Sequence, residues 1–192
     1  MNVVKAAKMT YLLTSALLLI LGVIVLIFQP SEILWRILMG SCFLLVGATK
    51  LFGFFSNDLY KLAFQFDLAL GCLTLIVGCV LLIRQGILLQ TTASIAGLFV
   101  VVDSLFKIQT AFDAKKFGMK KWFTILVAAI VVGVVGTMTL FDPFGMLNPS
   151  SLMILIAVSF ILNGALNIWT TAYTVRVKAK KKNLEEKYED YL

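Results

Sequence analysis

Long apolar runs separated by short polar intervals set the pattern of this chain. Nearly uninterrupted apolar residues run from Tyr11 to Phe28, Ile33 to Phe55, Leu62 to Ile83, Leu88 to Phe112, Trp122 to Leu140 and Leu152 to Tyr173. Each is close to the roughly 20 residues, rising about 1.5 Å apiece, that a helix needs to cross a hydrocarbon layer about 30 Å thick. The pattern predicts an all-α membrane protein with six transmembrane helices. The intervals alternate in character. Gln29–Glu32, Arg84–Ile87 and Phe141–Ser151 are short or rich in turn residues, and the first and last of them hold Pro30, Pro143 and Pro149. The other intervals carry lysine. Tight turns make three hairpins, at about 10–56, 62–112 and 122–174, within a transmembrane domain of residues 1–175.

Small residues repeat in register with these hairpins. Gly22 lies eight residues before Pro30, and Gly78 lies eight before Gly86. In the returning helices Gly40 and Gly47, Gly97 and Ser104, and Ala157 and Gly164 each stand seven apart. Small side chains let helix backbones approach closely in lipid, where packing must replace the hydrophobic drive of water. Three hairpins of one direction predict parallel repeats about an axis along the membrane normal, a pseudo-threefold bundle.

Composition agrees, since 60% hydrophobic and 14% charged residues in 192 exceed what one soluble core could bury. The net charge of +7 does not point to nucleic acid, because its position marks topology. Lys5, Lys8, Lys50, Lys61, Lys107, Lys115, Lys116, Lys120, Lys121, Arg176, Lys178, Lys180, Lys181, Lys182 and Lys187 fall on one side, and only Arg36 and Arg84 on the other. Positive loops stay inside, so both termini are expected in the cytoplasm. The first run also begins as a signal peptide would, but no small-x-small cleavage site follows, so it reads as an uncleaved span.

The chain has no histidine, which excludes histidine triads and histidine-ligated zinc. Cys42, Cys72 and Cys79 form no C-x-x-C pair and are expected to be small buried packing residues. No catalytic residue, metal site or cofactor is indicated. The remaining chemistry lies in polar residues at membrane depth, each of which costs about 2.5 to 3.5 kcal/mol if it faces lipid at the centre. Lys50, Asp67, Asp103 and Lys107 fall at similar levels, near the cytoplasmic face. Asp103 and Lys107 are spaced for an i, i+4 ion pair. The repeat aligns Asp103 with Val46 and Asn163, and Lys107 with Lys50 and Asn167, giving one polar layer. Its functional reading is an inward-opening cavity where Asp67 or Asp103 could exchange protons or touch a solute. Its plain reading has both lysines snorkelling to the interface, Asp103 neutralising Lys107 and the asparagines bonding neighbouring helices.

Trp35, Trp122, Trp169 and Tyr173 read as interfacial anchors. Residues 176–192 read as a frayed cytoplasmic tail whose basic start suits anionic lipid, while Leu184, Tyr188 and Leu192 could edge a short helix. The expected partners are the bilayer and anionic lipids at the cytoplasmic face, with a homo-oligomer left open and no nucleic acid.

The stretch Leu18-Leu19-Ile20-Leu21-Gly22-Val23-Ile24-Val25-Leu26-Ile27-Phe28-Gln29-Pro30, followed by Leu44-Leu45-Val46-Gly47-Ala48-Thr49-Lys50-Leu51, resembles the repeat of HdeD-type acid-resistance membrane proteins. The second hairpin departs from it, with Gly86 where that family's turn usually has proline, and the third has a longer outer loop. The resemblance implies a bacterial inner-membrane protein in envelope or acid-stress protection, and it transfers no catalytic residue. Two functions stand at this point. One is a non-enzymatic protective membrane protein. The other is a small-solute or proton-linked carrier or channel using the polar layer.

Overall fold

A computed structural model describes the backbone of residues 3–55, 67–84, 86–116, 121–141 and 148–189, and the side chains of 9–55, 68–84, 86–116, 121–141 and 148–172. Six helices make up the described chain: α1 (Val3–Phe28), α2 (Glu32–Phe55), α3 (Asp67–Ile83), α4 (Leu89–Lys116), α5 (Trp122–Phe141) and α6 (Pro149–Glu189). All but α3 have apolar stretches long enough to cross a membrane. The apolar part of α3, Leu68–Ile83, is shorter, and residues 62–66 of the expected third span lie outside the described chain. Exposed faces carry Ile27, Ile76, Ile83, Phe123 and similar side chains, as lipid requires. The chain is a multi-pass membrane protein.

Local chemistry explains the helix ends. Gln29 turns the chain at φ +38°, Pro30 stops α1, and the Ser31 carbonyl accepts the first hydrogen bond of α2 from Trp35 N at 2.8 Å. Gly86, at φ +78°, makes the α3–α4 turn, a conformation for which glycine has no steric penalty. Asn148 caps α6, accepting from Leu152 N at 3.0 Å, with Pro149 in the first helical position, where its missing N–H costs nothing. The frayed tail is corrected. Helix α6 runs 41 residues, about 61 Å, because neither glycine nor proline follows Gly164 to stop it.

The closest packing lies between hairpins: α2 with α3, α4 with α5, and α1 with α6. Each pair is antiparallel and meets along small residues. A Cβ on Gly22 would stand 2.8 Å from Ala157 O, and one on Gly164 would stand 2.8 Å from Ser15 O. Across α2 and α3, Gly40 faces Gly78 and Gly47 faces Gly71, with a Cβ on Gly47 falling 2.9 Å from Gly71 O. On α4, Gly97 meets Gly136 O at 2.8 Å by the same construction, and Ser104 lies against Gly133. The seven-residue spacing therefore marks backbone-to-backbone seams. Because α1 closes on α6, the three packing units form a ring that is shifted by one helix from the order of the hairpins.

Helices α2, α4 and α6 supply the buried middle. Equivalent positions, 57 residues apart from α2 to α4 and 60 from α4 to α6, stack in layers. From the turn side these are Trp35, Thr92 and Leu152; Met39, Ala96 and Ile156; Phe43, Val100 and Phe160; Val46, Asp103 and Asn163; and Lys50, Lys107 and Asn167. Every one is buried. Trp35 Nε1 donates to Thr92 Oγ1 at 3.1 Å, and its ring lies 6.1 Å from that of Phe160. Phe43 and Phe99 rings meet at 4.9 Å. Three layers, apolar except for the Thr92 hydroxyl that Trp35 engages, thus fill the bundle between the turns and the polar layers.

Candidate functional site

The two polar layers begin about 21 Å along α4 from Leu89, four helical turns beyond the α3–α4 bend. At that depth Asp103 is 3% exposed, Lys50 4%, Lys107 6%, Asn167 5% and Asn163 0%. Lys107 Nζ lies 2.5 Å from Asp103 Oδ2 and 2.5 Å from Asn163 Oδ1. Lys50 Nζ stands 3.6 Å from Asp103 Oδ1, and Asn167 Nδ2 donates to Asp103 Oδ2 at 3.4 Å. Asp103 therefore ties α2, α4 and α6 together, and both of its oxygens are engaged. A buried carboxylate is tolerable only when paired and hydrogen-bonded in this way.

The layer reaches outward through α1. Lys50 Nζ donates to Tyr11 Oη at 3.1 Å and lies 5.1 Å from the centre of that half-buried ring. It ends inward at Asn163. A lysine ammonium can only donate, so the Asn163 carbonyl must face Lys107, which turns the amide nitrogen away. That Nδ2 makes no hydrogen bond of good geometry among the described residues. Burying such a donor without a partner costs about 1 to 3 kcal/mol.

Five of the six expected layer residues come together: Lys50, Asp103, Lys107, Asn163 and Asn167. Asp67 opens α3 at a matching level, but its side chain lies outside the described residues. The Asp103–Lys107 pair forms as its spacing foretold. The lysines do not snorkel. Both stems turn to the axis because Asp103 offers a counter-charge there. Trp35 is not an interfacial anchor either, since it is fully buried in the first layer, where Thr92 satisfies its N–H. Trp122 and Trp169 remain half-buried, Trp122 beneath Lys115 Nζ at 4.6 Å, and the Tyr173 side chain is outside the described set. Cys42 is buried as expected, but Cys72 and Cys79 are exposed, because α3 turns Gly71 and Gly78 to α2 and leaves the cysteines facing out. Among the described residues no group of three His, Cys, Asp or Glu could hold a metal ion.

Two participants escaped the sequence reading. Tyr11 comes from another helix, and its only signal was a polar tip at the start of the first run. Arg36, buried on α2, donates from Nη1 to the carbonyls of Leu81 at 3.0 Å and Arg84 at 2.6 Å, capping the end of α3.

Comparison with known proteins adds a family. The description "short repeat of unknown function" (DUF308) matches residues 13–83 and again 69–141, together two thirds of the chain. The chain belongs to the DUF308 family. The starts of the two matches lie 56 residues apart, within one residue of the step that superposes α2 on α4. Each DUF308 match spans three helices, the first from within α1 to the end of α3 and the second from α3 to α5. The matches end before α6, which completes the third DUF308-like packing unit by pairing with α1. No curated protein and no solved structure matches this DUF308 chain.

Proposed function

We propose that this DUF308 chain is a non-enzymatic, non-conducting protein of the bacterial inner membrane, with both termini in the cytoplasm, that protects the envelope under stress. Acid challenge is the stress its likeness to HdeD-type repeats implies. The observation that carries this reading is the filled axis. Among the described residues, three buried layers fill the bundle on the turn side and Asp103 beneath them is engaged by Lys50 and Lys107, which supports a packed bundle over a transporter or an enzyme. The basic residues from Arg176 to Lys182 then meet anionic headgroups, at about 1 kcal/mol per charge. The test is survival of a deletion strain after a shift to low pH, in a host that expresses the protein. Loss of survival restored by the intact gene supports the reading, and unchanged survival removes its acid-stress part.

A second reading is favoured by one observation: the polar line from half-buried Tyr11, which accepts from Lys50, through the ion pairs of Asp103 with Lys50 and Lys107 to the side chain of Asn163. Such a line suits a small-solute carrier opening towards the termini. It requires flux in vesicles reconstituted with the native protein, and a change in flux per folded molecule in Asn167→Ala, which alters the polar layer without stranding a buried charge. Folded protein without flux ends that reading.

A further inference from the structure

The two basic residues outside the lysine-rich side meet at one place. Arg36 stands about 6 Å into α2, and its Nη1 donates to the carbonyls of Leu81 and Arg84. The guanidinium side chain is 9% exposed, and among the described residues it pairs with no carboxylate. Its Nε and Nη2 hydrogens have no partner there. Glu32, one turn nearer the bend, stays exposed in the first turn of α2, where the helix start favours an acid. Arg84 is exposed, and its carbonyl lies 2.6 Å from Arg36 Nη1, which brings a second cation within one side-chain length. Against these two charges the end of α3 supplies only about half a negative charge. A buried cation with so little compensation is costly. The Nε and Nη2 edge is also the one that grips a phosphate with two parallel hydrogen bonds. Ile33 and Ile37 flank Arg36 on α2, Ile83 precedes Arg84, and all three are exposed.

We propose that Arg36 and Arg84 hold the phosphate of a glycerophospholipid in the leaflet on the turn side. Arg36 grips two phosphate oxygens at the rim of the protein, Arg84 closes over them, and the acyl chains lie along the exposed isoleucines. Charge complementarity selects the phosphate, and the apolar surface beside it selects a lipid over free phosphate. The site lies at the opposite end of the helices from the lysines and needs no opening in the bundle. It holds whichever way a role in stress is decided, because it rests on the arginines alone.

The experiment is native mass spectrometry of the full chain in detergent, titrated with phosphatidylglycerol. Arg36→Gln keeps a donor for the α3 carbonyls but removes the charge and the fork, and Arg84→Gln keeps the carbonyl that Arg36 engages. Each should weaken one phosphatidylglycerol site about tenfold or more, and the double variant should retain one lipid fewer per chain. Lys116→Gln, an exposed lysine at the other end of the bundle, should leave that site unchanged. Diacylglycerol with the same chains should not compete for it. Equal retention by the native protein and the arginine variants, an equal loss in Lys116→Gln, competition by diacylglycerol, or displacement of the lipid by inorganic phosphate would each overturn the proposal. If Arg36→Gln does not accumulate, Arg84→Gln decides alone, since its side chain is exposed.

Discussion

Asp103 is the residue on which three helices depend, and the value of its charge lies in what its loss would strand. Breaking a buried pair by removing one partner costs about 3 to 5 kcal/mol, because the other charge is left without compensation. Asp103→Asn should therefore lower the thermal midpoint sharply, with Lys107 left near zero exposure beside a neutral amide. Replacing Asp103 by Leu and Lys107 by Met together should cost less than the sum of the two single changes, since Lys107 is then no longer stranded, although buried Lys50 still loses its counter-charge. A double-mutant cycle on unfolding in detergent measures this coupling, and additive losses would show that the pair contributes nothing as a pair. The spacing of Asp103 and Lys107 was legible because four residues bring two side chains onto one helix face. The inward turn of Lys50 was not. A lysine stem reaches the interface or the axis with equal ease, and its counter-charge sits on a different helix.

At the level of helices, the glycines were legible as faces but not as partners. A seven-residue spacing says that one side of a helix is small, whereas the identity of the neighbour depends on which other small face meets it. Apolar periodicity gives no help, since lipid-facing and core-facing positions are alike in hydrophobicity. Hence the hairpins were readable from their turns, while the pairing of α2 with α3, α4 with α5 and α1 with α6 was not. Two glycines separate the causes of glycine use. At Gly97 an added methyl meets Gly136 O at 2.8 Å, so Gly97→Ala should cost about 1 to 3 kcal/mol by forcing α4 from α5. At Gly86 an added methyl meets nothing within 4 Å, and only the φ of +78° opposes it, so Gly86→Ala should cost about 1 kcal/mol. Unfolding midpoints of the two variants test the order, and a reversed order would contradict the seam.

For the molecule as a whole, the ring of three packing units has no privileged opening. The present ends belong to α1 and α6, which pack together as α2 does with α3 and α4 with α5. A chain joined from the tail to Val3 by a flexible linker, and opened between Lys116 and Lys121, should fold to a monodisperse species with its midpoint within a few degrees of the native protein. Aggregation of that permutant in detergent would argue against a ring closed by α1 and α6. The threefold plan was visible in the repeated turns, but the content of its centre was not, because the layers combine one side chain from each of three distant segments. That content has a consequence for modularity. Three copies of the α2 pattern would gather three lysines and no acid at one depth, and three copies of α4 would crowd six charges there. Three copies of α6 would leave amides with no charge to hold. Each segment has become the complement of the other two, so the units are no longer interchangeable, and a change in one should be rescued only by a matched change in another.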